Sequence, residues 1–463
     1  MLSSSEFKVQ SLKCQASSIK TKSSNLILNE VKHKLGMNPK LVLLVLFYFT
    51  SFYCFSQDWP DWRGENRDGT WPETGIVEKF SSNELIPQWT ATIGSGYSGP
   101  TVSKGKVYIT DLIKTPSQTE GVLCFDEQTG EKIWEYRYPC EYSGIGYPAG
   151  PRASVVINNG KAFSLGTMGN LFCLDAENGK VIWQKDLNKE YEIRMPVWGI
   201  SATPLITDNK IILQISGSKN ACVVALDINS GKEIWRNLED IAAYSAPILV
   251  EKNGSEVVVI WTENSLSGLN PKTGEIYWRF PWDVGSGMAI ATPVLYNDHI
   301  FVSCFYSGSL LVKLTNNYTS AEKVWQRSGE SERETDALHC VMNTPVIIDN
   351  YIYGVDSYGE LRCLEFATGN RVWEDLTAVN KNRWANIHFV QNGNKTWMFN
   401  EQGELLISEL SPKGFREISR TKIIEPTKEQ LPRGVTWSHP AFANKHVFVR
   451  NDNKLVCVDL TKK

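Results

Sequence analysis

Apolar and polar residues alternate in short runs along most of this chain, and the runs come in a fixed order. A strand-like stretch with apolar residues at alternate positions ends at Asp or Asn, as in Gly-Val-Leu-Cys-Phe-Asp. A Thr-Gly, Ser-Gly or Asn-Gly turn follows, and a second strand opens on an apolar residue and Trp. The unit occurs at 121–134, 169–183, 223–235, 267–278 and 359–373. Repetition at roughly 45 to 50 residues is the mark of a repeat architecture, in which each unit is one supersecondary block.

The other half of each unit repeats as well. A Ser/Ala/Thr-Pro phrase, or a variant of it, opens an apolar hairpin eight times, near Ser98, Pro151, Ser201, Tyr244, Ile290, Met342, Ile387 and Ser438. The turns between its strands are polar or Gly/Asn-rich. Two units are degenerate: 308–325 carries an insertion, and 403–418 has Ile418 where Trp is expected. Eight hairpin pairs predict an all-β chain, an eight-bladed β-propeller of four-stranded blades. The last unit ends without its outer strand, and a matching strand with Trp89 lies near the start. The pattern therefore predicts an N-terminal strand that completes the last blade and leaves no free sheet edge.

Composition changes this picture little. A chain of this length could hold two or three domains, but the repeat assigns 85–463 to one ring. Of the sixteen Trp, Trp134, Trp183, Trp235, Trp278, Trp325 and Trp373 fall on the repeat and are expected to pack between blades. A formal charge of −3, with no basic stripe interleaved with aromatics, speaks against nucleic acid as a partner. Of the ten cysteines, Cys124, Cys173, Cys363 and Cys457 share one repeat position and read as small buried hydrophobes. Cys140, Cys222, Cys304 and Cys340 leave room for one bridge that spacing does not assign, and no haem-attachment motif is present.

The N-terminal region reads as a targeting segment. Met37 to Lys40 forms a short basic start, the run 41–53 is apolar, and cleavage between Ser56 and Gln57 fits the small residues before it. The run is too short for an ordinary membrane-spanning helix. Residues 1–36 read as a non-native or non-functional extension, since a complete signal begins at Met37, 37–56 as a signal peptide and 57–84 as an N-terminal arm. The expected location is the periplasm or cell envelope.

The Leu-x-Cys-Leu-Asp-x-x-Thr-Gly-x-x-x-Trp phrase resembles the repeat of the pyrroloquinoline quinone (PQQ) repeat family, and the resemblance covers 58–463. The stretches 58–76, 196–205 and 278–294 also resemble an exported single-propeller subgroup of that family. The resemblance implies two kinds of relative. One is the quinoprotein dehydrogenases, whose rings hold PQQ and calcium on the axis and oxidise alcohols or sugars. The other is an outer-membrane assembly lipoprotein whose similar ring carries no cofactor and holds protein partners. This chain lacks the adjacent-cysteine pair found over the quinone in many of the dehydrogenases, and it lacks their long insertions.

Chain direction places every blade-to-blade loop on one face. Those loops carry Arg152, Arg194, Trp198, Asp283, His339, Arg383, Trp384, His388, Arg433, Trp437 and His439, the candidate site. Arg can grip carboxylates in a fork, Trp can stack on a planar or sugar ring, and His can donate, accept or titrate. The set suits PQQ, an acidic oligosaccharide or another anionic ring. Acids in the same loops, such as Glu334 or Asp283, could instead take up the arginines. No nucleophile elbow, phosphate loop or short-range metal-ligand spacing is present. Three functions remain in view: a PQQ-dependent alcohol or sugar dehydrogenase, an envelope scaffold for protein partners, and an accessory to extracellular polysaccharide breakdown. Ring geometry explains the repeat without a cofactor, which favours binding over catalysis.

Overall fold

The repeat tryptophan explains how neighbouring blades hold together. In the computed structural model, which describes residues 57–463, each repeat Trp sits on the outermost strand of its blade. Its indole Nε1 donates to a backbone carbonyl of the next blade: Trp134 to Ala176, Trp183 to Ile228 and Trp235 to Pro271, each at 3.1 Å. Trp278, Trp325 and Trp373 repeat the bond to Tyr318, Phe366 and Ser411 at 3.0, 3.0 and 2.9 Å. Opposite each Trp across the strand pair stands Cys124, Cys173, Ala225, Gly268, Leu311 or Cys363, and the register shifts by a bulge just after it. In five of these six pairs that residue is small, which leaves room for the indole.

The Asp-x-x-Thr-Gly turn has an equally local cause. The Asp126 carboxylate accepts from the backbone N–H of Gln128 and Thr129 and from the Thr129 hydroxyl. Gly130 then adopts φ +72°, and a Cβ there would lie 2.5 Å from the Trp89 ring. Glycine is thus required both by the left-handed turn and by close approach to the preceding blade.

Eight four-stranded antiparallel sheets result, one per blade. Blades 1 to 7 span 101–139, 156–186, 205–237, 248–281, 294–327, 346–375 and 387–422. Blade 8 spans 441–459 and takes its outer strand from the other end of the chain. Trp89–Thr92 pairs antiparallel with Lys454–Asp459, with Trp89 opposite Cys457. Trp89 Nε1 donates to Glu127 O of blade 1 at 2.8 Å, the same staple as in the other blades. In blade 5 the insertion forms a short 3-10 turn, Asn316–Tyr318, and Trp325 keeps its place. In blade 7 the bulge falls at Ile418, so Ser419 pairs with Ile407 and Glu417 with Ser408.

The segment before the ring is built into it. Trp59 bridges Val102 of blade 1, Pro60 O accepts from Ile157 of blade 2, and Arg67 donates to Thr203 O and Pro204 O at the entry to blade 3. The chain then turns back to Gln391 and Asn392, at the far end of the innermost strand of blade 7. Trp59 and Trp71 are fully buried against Phe442, in the largest apolar cluster.

The eight described cysteines, Cys124, Cys140, Cys173, Cys222, Cys304, Cys340, Cys363 and Cys457, are all free and buried. No helix among the described residues is long and apolar enough to cross a membrane. The expected signal peptide and the upstream extension lie outside the described residues.

Candidate functional site

The blade-to-blade loops gather around the ring axis and enclose a cavity of about 500 Å³. It forms an axial funnel. Trp62 of the arm belongs to its lining, donating from Nε1 to Thr292 Oγ1 at 2.8 Å and meeting the His439 ring edge-on at 4.1 Å. Tyr147, in the loop from blade 1 to blade 2, reaches the centre. Its ring centroid lies 6.1 Å from Trp198 and 6.3 Å from both Trp384 and Trp437, rings supplied by three other loops. Tyr244 packs on Trp198 at 4.9 Å, and Tyr97 and Tyr306 complete an aromatic wall.

Several of these side chains are held at a conformational cost. Tyr147, Ser286 and Trp384 adopt φ of +53°, +56° and +64°, and Arg63 and Arg67 of the arm adopt +61° and +58°. Left-handed backbone at non-glycine residues costs about 1–3 kcal/mol each and persists where the surroundings over-determine it.

Of the eleven candidates, seven line the funnel: Arg152, Trp198, Arg383, Trp384, His388, Trp437 and His439. Arg152 donates to the carbonyls of Tyr147, Gly150 and Gly146 at 2.6, 2.7 and 3.0 Å and lies over the Tyr97 ring. Burial lowers its guanidinium pKa, against the pull of Tyr142 and Tyr97. Arg383 forks onto Glu332, with Nε at 2.8 Å, and stacks on Trp384 at 4.3 Å. That hydrogen bond holds the Glu332 carboxyl below its ordinary pKa. His388 donates to Trp437 O at 2.8 Å, and His439 Nε2 lies 3.0 Å from Ser154 Oγ. Burial, reinforced by Arg63, lowers His388 to about 4. Burial, His388 and Arg63 together lower His439 to about 3. Both rings are neutral at ordinary pH.

The other four candidates stand outside the lining, each for a local reason. Arg433 forks onto Glu401, whose buried carboxylate also accepts from Trp437 Nε1 at 3.0 Å. Desolvation pushes the Glu401 carboxyl up in spite of Arg433. His339 is turned into the wall, bonded through Nδ1 to Phe305 O at 2.8 Å and through Nε2 to Gly329 N at 3.2 Å. It does not join His388 and His439, whose rings lie 6.2 Å apart. Asp283 accepts from Asn264 Nδ2 at 3.0 Å, and Arg194 acts on the rim carboxylate Glu263. The acids that take up the arginines are Glu332 and Glu401, not Glu334 or Asp283.

Five funnel aromatics escaped the sequence reading. Tyr97, Tyr147 and Tyr244 lie in blade-to-blade loops, where chain direction alone could have found them, and Tyr306 lies in the turn between the second and third strands of blade 5. Trp62 belongs to the arm, where no repeat reports its position.

The lining contains no Asp or Glu among the described residues. Among the described residues no group of three or more His, Cys, Asp or Glu has metal-holding geometry. A hard cation such as calcium takes six to eight oxygen ligands, mostly carboxylates and carbonyls, so this lining does not fit it.

A family model, PQQ_2, described as outer membrane protein assembly factor BamB, matches residues 118–375. The BamB protein of Yersinia pestis is 26% identical over 229 residues, 47% of this chain and 55% of that protein. The quinoprotein alcohol dehydrogenase PedH of Pseudomonas putida is 27% identical over 143 residues, 28% of this chain and 23% of that protein. The chain thus spans about half, or less, of the length of these curated relatives. The crystal structure of quinohemoprotein alcohol dehydrogenase from Comamonas testosteroni superposes with a TM-score of 0.58, covering 90% of this chain and 82% of that one. At 12% identity that likeness is one of fold.

Proposed function

The chain belongs to the PQQ_2 repeat family, and from that premise we propose that it is an exported, non-catalytic binding propeller of the cell envelope. Its ligand is a polar ring compound held in the axial funnel. The observation that carries this reading is the funnel itself, lined by Trp62 of the arm and walled by aromatic rings from the loops. Pockets of this size, mostly apolar with a few placed polar groups, are where folds of many kinds hold small ligands. Propeller geometry accounts for the repeat, so the function rests on the loops.

PQQ with calcium, the pair implied by the resemblance to quinoprotein dehydrogenases, fits this lining poorly. PQQ is a tricarboxylate, whereas Arg383 and, behind the wall, Arg433 are already engaged by Glu332 and Glu401. The cation has no carboxylate to hold it. We therefore derive no oxidation step.

Calorimetric titration of PQQ, with and without calcium, into the purified protein tests the reading. The expected result is no calcium-dependent saturation and no oxidation of alcohols or sugars with an artificial acceptor. One-to-one PQQ binding abolished by EDTA overturns it. A second reading, an envelope scaffold for protein partners, is supported by the family description and by the similarity to BamB proteins. It predicts that envelope proteins co-purify with the ring and that substitutions in the funnel leave this association unchanged.

A further inference from the structure

Two hydrogen-bond donors on the funnel lining have no acceptor among the described residues: the Tyr97 O–H and the Trp384 indole Nε1–H, both on buried atoms. Ala149 N–H, which donates to Tyr147 O at 2.9 Å, also faces the Tyr97 oxygen, but a backbone N–H cannot take up the hydroxyl proton. An unmet buried donor costs about 1–3 kcal/mol, and native structures hold few of them. Of the fifteen such atoms among the described residues, these two belong to residues that line the funnel, and Trp384 is also held in a left-handed conformation.

The electrostatics narrow what could meet those donors. Arg383 is paired with a carboxylate, and His388 and His439 are neutral. Arg152 is the lining cation without a carboxylate in contact. Its Nη atoms serve loop carbonyls and Thr167, while Nε has no hydrogen-bond partner among the described residues. The funnel therefore offers one positive charge that no carboxylate touches, offset in part by Glu120 behind Tyr142 and Thr167, and a set of donors aimed at acceptors. Its aromatic faces suit the apolar faces of pyranose rings, and its volume exceeds that of a single ring.

Resting on the reading of the funnel as a ligand site, we propose that Tyr97, Trp384 and Arg152 form a recognition set for an acidic sugar. Tyr97 and Trp384 donate to ring or hydroxyl oxygens, and Arg152 supplies the charge for one uronate carboxylate. A neutral sugar brings no carboxylate to Arg152, whose bonds within the protein go to carbonyls and a hydroxyl, and a tricarboxylate brings two more charges than the lining balances.

The test uses substitutions that delete a donor and keep a ring. Tyr97→Phe keeps the ring and removes no donated hydrogen bond among the described residues, so it should be as stable as the parent or more so. Trp384→Phe also gives up part of the stack on Arg383 and should lower Tm modestly. The probes are a tetramer of hexuronate, a neutral hexose tetramer of the same linkage, and PQQ, each titrated by calorimetry. The expected result is preference for the uronate by about tenfold or more, and a loss of about three- to tenfold in uronate affinity in each variant, with Tm unchanged or raised in Tyr97→Phe. Equal affinity for the neutral tetramer, or full uronate affinity in both variants, overturns the recognition set while leaving the funnel a ligand site. Preferential binding of PQQ overturns the acidic-sugar assignment in the same way. Failure of all three probes to bind overturns the set and the ligand-site reading together.

Discussion

At the scale of single residues, the funnel depends on side chains that fix other side chains. Arg152 was expected from sequence to grip a ligand, yet three of its bonds go to the carbonyls of Gly146, Tyr147 and Gly150. It thereby ties down the loop that carries Tyr147 in its left-handed conformation at the centre of the aromatic wall. Arg152→Met keeps most of the aliphatic stem and removes every donor. The expected cost is about 2–4 kcal/mol in urea denaturation, because buried carbonyls lose their partners. Hydrogen exchange across 144–150 should rise while exchange within the blades stays put. Equal exchange in the variant would show that the loop is held by packing alone. The limits of the sequence are plain at this scale. Arg383 and Arg433 looked like ligand contacts because their partners, Glu332 and Glu401, lie 51 and 32 residues away on other elements. Composition gives no sign of such a pairing.

At the scale of elements, the strands were legible because each blade announces itself by the same turn and the same Trp. Even the exchange of the outer strand of blade 8 could be read, since Trp89 stands before the ring with no hairpin of its own. The arm was not legible, because it lies outside the repeat and its contacts are with several blades at once. Its anchor is the buried pair Arg67–Asp61, with Nη1 3.0 Å from the carboxylate and further bonds to Thr203 O and Pro204 O. Burial raises the Asp61 pKa in spite of Arg67, so the carboxylate depends on this neighbour to stay charged. Arg67→Met leaves Asp61 and two carbonyls without their partner, for an expected loss of about 3–5 kcal/mol. Asp61→Asn together with Arg67→Met should recover part of that loss, since no unpaired charge remains buried. Limited proteolysis between residues 57 and 72 is the direct readout, with faster cleavage expected in the single variant than in the double one.

At the scale of the whole molecule, the arm and the closing blade meet around two neutral histidines, and this links stability to pH. His388 and His439 hold pKa values of about 4 and about 3, below the ordinary 6.5, with burial as the leading cause. In the unfolded chain both rings take up protons as the pH falls through 6.5, while in the folded ring they do not. The stability they contribute is therefore present in full above about pH 6.5 and is lost progressively as the pH falls through about 4 and about 3, on the order of several kcal/mol in all. Asp61, Glu127, Glu263, Asp356 and Glu401, whose carboxyls burial raises, act in the opposite sense. The interval from pH 7.5 to 5.5 spans the onset of the histidine loss. Urea midpoints measured across it should fall steadily, and NMR of the ring protons should show two histidines that do not titrate in the same interval. If His388 and His439 both titrate near 6.5, water reaches both rings freely and they do not carry the pH dependence. If they stay silent while the midpoint falls, burial holds both rings neutral, and the junction of arm and closing blade depends on that neutrality.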